Sequence, residues 1–178
     1  MALLVAACAL AASLVVASPA NADTMGPIQN YGNGLCMQPE NNSAAQGTLI
    51  VQQPCGLYTT GVRNLFQEWD AICKDSSCSV FYWRNRGSQT CLRARGLTGP
   101  ANGEQIMLWA CNQITDVTWD YGTSPTPTTF VLESRLSNSH GYCLDVPGAS
   151  AAVGLALQLY QCNQTVAQQW QAPTPIIE

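Results

Sequence analysis

The residues with most to offer chemically lie in the last third of the chain: Asp145, Gln158 and Tyr160, carried on two short alternating runs. In Leu155 to Tyr160, alternation puts Leu155, Leu157 and Leu159 on one face of a strand and Ala156, Gln158 and Tyr160 on the other. In Cys143 to Val146, Leu144 and Val146 share one face, with Cys143 and Asp145 opposite. A bond between Cys143 and Cys162 would tie the two runs on their polar side. Asp145 would then look toward Gln158 and Tyr160, while the leucines and Val146 fill a core. The set suits a neutral ligand rich in hydroxyls, such as a saccharide. A carboxylate accepts hydrogen bonds from two neighbouring hydroxyls, and bonds to an ionised group are the stronger kind. Glutamine offers a donor and an acceptor. Tyrosine offers a flat apolar face for the C–H side of a pyranose and a polar tip.

Other chemistries find little support. Ser–His–Asp catalysis needs a histidine, and the one histidine, His140, lies in a polar turn (SNSHGYC) with no G-x-S-x-G near it. Glycoside hydrolysis needs two carboxylates across a cleft; acids are sparse, and Asp116 and Asp120 read as turn or loop residues. No C-x-x-C pair exists, so no metal or other cofactor is expected. Seven Lys and Arg against eleven acids, a net charge of −4, do not build the basic face of a nucleic-acid binder. After residue 22 no basic amphipathic helix marks a membrane surface.

The elements that would position these residues come from a repeat. A cysteine, a glycine, a second cysteine and a tryptophan recur three times: Cys36, Gly47, Cys55, Trp69; Cys91, Gly103, Cys111, Trp119; Cys143, Gly154, Cys162, Trp170. Copies at such a period are supersecondary units that bury one shared core. Residues 3 to 17 are uncharged and apolar, and Ala20-Asn21-Ala22 gives a small-residue cleavage site, so residues 1–22 read as a secretory signal peptide. No Lys or Arg precedes the apolar run, a departure from the usual signal, and Val5-Ala6-Ala7-Cys8 resembles a lipoprotein box. Removing the leader takes Cys8 and leaves eight cysteines, which an exported, extracellular chain would oxidise. Repeat logic pairs Cys36 with Cys55, Cys91 with Cys111 and Cys143 with Cys162, leaving Cys73 and Cys78 to close a small loop.

Residues 23–178 show short alternating apolar runs bounded by Gly, Pro, Asn and Ser, the all-β pattern. The proline-containing segment 123–129 reads as a loop. With Gln67-Glu68-Trp69 and Gln168-Gln169-Trp170 in register with the cysteine pairs, residues 26–172 resemble the ricin B-type β-trefoil lectins. Val117-Thr118-Trp119 keeps the tryptophan and loses the glutamine, and about six extra residues between Cys55 and Trp69 predict a longer loop there.

The resemblance implies a β-trefoil of twelve strands in three pseudo-symmetric repeats (about 26–76, 77–125 and 126–172), six forming a barrel and six capping it. It further implies a non-catalytic carbohydrate-binding module whose site is lined or supported by Asp145, Gln158, Tyr160 and Gln168. Ala167 stands where such lectins carry a sugar-contacting asparagine, and Asn163 is a candidate to compensate. The other repeats look blind: Arg93 and Met107 replace the aspartate and glutamine beside a retained Trp109, and Gln38, Val51 and Gln53 fill the three places in the first. Trp109 beside Arg93 leaves an anionic ligand open. One shallow site predicts weak affinity, about millimolar or −4 kcal/mol. Rival readings are a targeting subunit beside a separate catalytic chain, a trefoil protease inhibitor acting through the Cys55–Trp69 loop, and a scaffold whose site has decayed. Asn41-Asn42-Ser43 and Asn163-Gln164-Thr165 are glycosylation sequons, meaningful in a eukaryotic secretory host.

Overall fold

The computed structural model describes residues 24–56, 64–96, 99–112, 117–136 and 140–172. The leader, Asp116 and the middle of the Cys55–Trp69 loop lie outside the described residues. Among those residues the regular elements are β-strands and single 3-10 turns. In chain order the strands are β1 (Thr24–Pro27), β2 (Gln29–Asn30), β3 (Cys36–Pro39), β4 (Ile50–Gln53), β5 (Glu68–Cys73) and β6 (Val80–Asn85). They continue as β7 (Cys91–Ala94), β8 (Glu104–Trp109), β9 (Trp119–Gly122), β10 (Val131–Ser134), β11 (Tyr142–Asp145), β12 (Gln158–Gln161) and β13 (Trp170–Gln171). The fold is all-β and trefoil-like. One sheet runs β1-β5-β6-β7-β8-β12-β11-β10-β9, with β9 pairing back onto β6 so that the sheet closes on itself; a second runs β13-β2-β3-β4. Where twelve strands were expected the described residues form thirteen, because the first is interrupted at the buried Ile28: β1 pairs with β5, and β2 turns to β3 and β13.

The repeated residues recur as repeated interactions. Trp69, Trp119 and Trp170 are fully buried, and each indole N–H donates to the carbonyl of the residue after a cysteine: Met37 at 3.2 Å, Leu92 at 3.0 Å and Leu144 at 3.1 Å. A buried indole needs such a partner for its polar end. Gly47, Gly103 and Gly154 sit at φ +85°, +84° and +82°, a left-handed conformation that favours glycine. Their amides reach the next unit in a ring: Gly47 donates to Leu108 O, Gly103 to Leu159 O and Gly154 to Gln52 O, at 2.8, 2.9 and 2.8 Å.

Three junctions, with no signal in the sequence pattern, hold the units together. Tyr31, Arg86 and Arg135 amides donate to the carbonyls of Gln169, Glu68 and Thr118, each the residue before a repeat tryptophan. At two of these junctions the preceding asparagine clamps the same segment. Asn30 Nδ2 donates to the carbonyls of Val166, Ala167 and Gln169, and Asn85 Nδ2 to those of Phe66 and Glu68. Ser134, at the third, reaches only back to the amide of Leu136.

All four disulfides pair as repeat logic required, including Cys73–Cys78, with Cα separations of 4.7 to 5.1 Å. Segment 123–129 is a loop. Two expectations need correction. The strand expected over Leu155 to Tyr160 begins only at Gln158, because Ala156 is taken by an isolated bridge to Val51 and Leu157 N donates to Ile50 O. Asp120, expected in a turn, lies on β9 and pairs with Arg135 at 2.8 Å.

Candidate functional site

Strands β11 and β12 form an antiparallel pair in the register Cys143↔Tyr160, Leu144↔Leu159, Asp145↔Gln158. That register puts Leu144, Leu157 and Leu159 into the core, all at 0–1% exposure, and sends Gln158 and Tyr160 outward. The Cys143–Cys162 bridge ties the strands on the outward side, as alternation required. Asp145, Gln158, Tyr160 and Asn163 meet around a cavity of about 320 Å³, whose wall is completed by Gly148, Thr165 and Ala167.

Asp145 sits at the bottom, 4% exposed, with its Oδ1 accepting from Gln158 Nε2 at 2.8 Å. Burial raises its pKa above the ordinary aspartate value, and the amides of Gln158 and Gln168 oppose that shift. A carboxylate held this way has one oxygen fixed by protein and lone pairs on the other for a ligand hydroxyl. Tyr160 stands at the mouth, 39% exposed, a flat face presented to solvent. Opposite the strands, the turn after β11 places Gly148 and Ala149 at φ +60° and +51° along the cavity edge.

Asn163 lies on the far rim. Its Oδ1 accepts from Thr165 N at 3.1 Å and Thr165 Oγ1 at 2.8 Å, which sets the direction of the side chain. Ala167, 5% exposed, forms part of the floor where a longer side chain would fill the space.

Gln168 has a different position. It is fully buried and is absent from the cavity wall; it lines a separate hollow of about 190 Å³ with Glu133, Cys143 and Cys162. Its Oε1 accepts from Asn163 N at 2.8 Å and its Nε2 donates to Gln161 O at 3.0 Å, gripping the backbone on both sides of Cys162. Gln67 does the same in the first repeat, holding Gly56 N and Pro54 O on both sides of Cys55 at 2.7 and 2.9 Å. The glutamine two residues before the tryptophan therefore fastens the loop beyond the second cysteine, and Gln168 acts on the cavity both through Asn163 and through its amide beside Asp145.

The equivalent places elsewhere are differently equipped. In the first repeat Gln38 accepts from Gln67 Nε2 at 2.7 Å and Val51 is 1% exposed, so neither offers a free polar group. In the second, Arg93, Met107 and Trp109 line a cavity of about 390 Å³. His140 is an exposed turn residue, as expected, with Nδ1 3.7 Å from both Asp120 Oδ2 and Glu133 Oε1.

Residues 24–134 match the model of the ricin-type beta-trefoil lectin domain, and the chain belongs to that family. The match ends before Cys143, so the Asp145 cavity is argued from its own geometry. No curated protein matches the chain in sequence. Similar folds include the designed 3-fold symmetric protein ThreeFoil, with a TM-score of 0.70 at 18% identity over 82% of this chain and 95% of that one. The Macrolepiota procera ricin B-like lectin, solved in complex with lactose, has a TM-score of 0.65 at 18% identity over 87% and 97%. A mosquitocidal holotoxin has a TM-score of 0.66 at 17% identity over 82% of this chain, but only 16% of its own length.

Proposed function

We propose that this chain is a secreted, non-catalytic carbohydrate-binding module of three pseudo-symmetric repeats, with one site for a neutral saccharide in the third. Membership of a lectin family supports the ligand class. The observation that carries the site is Asp145: a carboxylate at 4% exposure, fixed by Gln158 at 2.8 Å, at the bottom of a cavity with Tyr160 at its mouth. Two adjacent hydroxyls of a pyranose bond the carboxylate and the Gln158 amide while its C–H face rests on the phenol ring. Asn163 supplies a further polar contact on the rim, and Gln168 positions it.

A titration with neutral pyranoses, followed by NMR, tests this reading. Signals of the Gln158 side-chain amide and the Tyr160 ring shift with a common, roughly millimolar dissociation constant. Shifts confined to other residues count against it.

A second reading places the module as the targeting part of a larger assembly with a separate catalytic chain. The similar fold forming 16% of a holotoxin favours it. Co-purification of an enzyme or toxin subunit with the native chain supports that role, and it leaves the sugar site unchanged.

A further inference from the structure

The Asp145 cavity has two unlike sides. Strands β11 and β12 present Asp145 and Gln158, whereas the floor and far edge are formed by Val146, Gly148, Ala149 and Ala167, none of which has a polar side-chain atom. Backbone groups on that side are already engaged. Ala167 O accepts from Val146 N at 3.0 Å and from Asn30 Nδ2 at 3.2 Å. Val146 O accepts from Ala149 N at 3.0 Å, and Pro147 O from Ser150 N at 3.2 Å. The first repeat holds this turn in place. Asn33 Nδ2 and Gln52 Nε2 each donate to Ser150 O at 2.9 Å, and Gln52 Nε2 also donates to Ala152 O at 2.7 Å. Gln52 is itself fully buried, so the turn is anchored on the body of another repeat.

A pyranose whose adjacent hydroxyls bond Asp145 and Gln158, with its C–H face on Tyr160, turns another ring substituent toward this apolar side. A hydroxyl pressed there loses its water partners and gains no side-chain partner, and an unpaired polar group costs free energy. An acetamido group brings an N–H and a C=O with the same need. A methyl group has no such need and gains from leaving water.

Resting on the neutral-saccharide reading of the same cavity, we propose that the site selects 6-deoxyhexoses, whose methyl group packs on Ala149 and Ala167 where an ordinary hexose carries a hydroxymethyl.

Pyranoses that differ only in the group on the fifth ring carbon (hydrogen, methyl or hydroxymethyl) separate the contributions. L-arabinose, 6-deoxy-D-galactose and D-galactose form one series; D-xylose, 6-deoxy-D-glucose and D-glucose form a second. Each sugar is titrated into the intact chain, and the Gln158 side-chain amide is followed by NMR. In the series whose ring hydroxyls fit, the methyl sugar binds about fourfold more tightly than the hydrogen analogue, the gain of one buried methyl. It also binds several-fold more tightly than the hydroxymethyl sugar. Nuclear Overhauser effects join its methyl to those of Ala149 and Ala167. Ala149→Asn, at an exposed position whose left-handed φ asparagine accepts, and Ala167→Ser each put a polar group on this side and at least halve the methyl advantage. The unfolding midpoint reports on the fold of each variant. Equal or tighter binding of the hydroxymethyl sugar, an Overhauser effect to neither alanine, or an advantage unchanged in both variants overturns the preference and leaves the Asp145 site standing. No shift at Gln158 with any of the sugars at tens of millimolar overturns both.

Discussion

Asp145 is a carboxylate with 4% of its surface exposed, and burial raises its pKa above the ordinary value. A raised folded value means that folding favours the protonated form. The stability this gives is fully present below the unfolded aspartate value of about 3.9 and is lost as pH rises through the folded one. At neutral pH the charge is therefore held at a cost to the fold. Asp145→Asn keeps an oxygen for Gln158 and removes the charge, so its thermal unfolding midpoint at pH 7 equals or exceeds that of the wild type. Its sugar affinity falls about tenfold, the difference between charge-assisted and neutral hydrogen bonds. Sugar affinity of the wild type also falls on acidification, beginning at a higher pH than an exposed aspartate would give; calorimetric titration across pH checks both. On the proposed reading, in which the sugar rests on the ring face, Tyr160→Phe retains binding, whereas Tyr160→Ala loses about 1 kcal/mol or more. Asp145, Gln158 and Tyr160 were legible in the sequence because a strand's period of two sorts side chains without knowledge of the rest. Gln168 was named through the family resemblance, as lining or supporting the site; the manner of its support depends on the path of the backbone around Cys162, which no local pattern encodes.

The elements are joined where the sequence is silent. Asn30 makes three bonds at 3.2 Å to the carbonyls of Val166, Ala167 and Gln169, and its Oδ1 accepts from Gly32 N and Asn33 N. At roughly 1 kcal/mol net for each bond, with buried carbonyls left unpaired, Asn30→Ala costs roughly 2 to 4 kcal/mol in urea unfolding. Ser134→Ala, which loses only the bond from Leu136 N, costs about 1 kcal/mol. Equal costs would contradict the assignment of junction roles. Since Ala167 floors the Asp145 cavity, Asn30→Ala also weakens sugar binding. Nothing in N-Y-G-N or N-R-G-S announces a clamp, because its partners are carbonyls of another repeat. The strand over Leu155 to Tyr160 was overextended for a related reason: Ala156 alternates correctly but bonds to Val51 instead of continuing a ladder with β11.

For the molecule as a whole, the cysteine–glycine–tryptophan period carried the architecture, since each member of the triplet has one physical task. The tryptophans fill a common core, the glycines take a left-handed turn, and the disulfides close loops of 19 and 20 residues. Replacing Cys143 and Cys162 together by alanine lowers stability by about 3 kcal/mol by the chain-entropy argument. It also loosens the strand pair that carries Asp145, so affinity drops with it, and paired denaturation and binding curves show both losses. On the proposed reading of one neutral-sugar cavity, strong attachment to a surface comes from clustered glycans rather than from a single contact. The most direct test of that assignment is a screen of clustered neutral glycans with the wild type beside Asp145→Ala. The structure predicts binding by the wild type that disappears in a variant whose unfolding midpoint is retained. Binding that survives the substitution, or no binding by either protein to any clustered glycan, contradicts it.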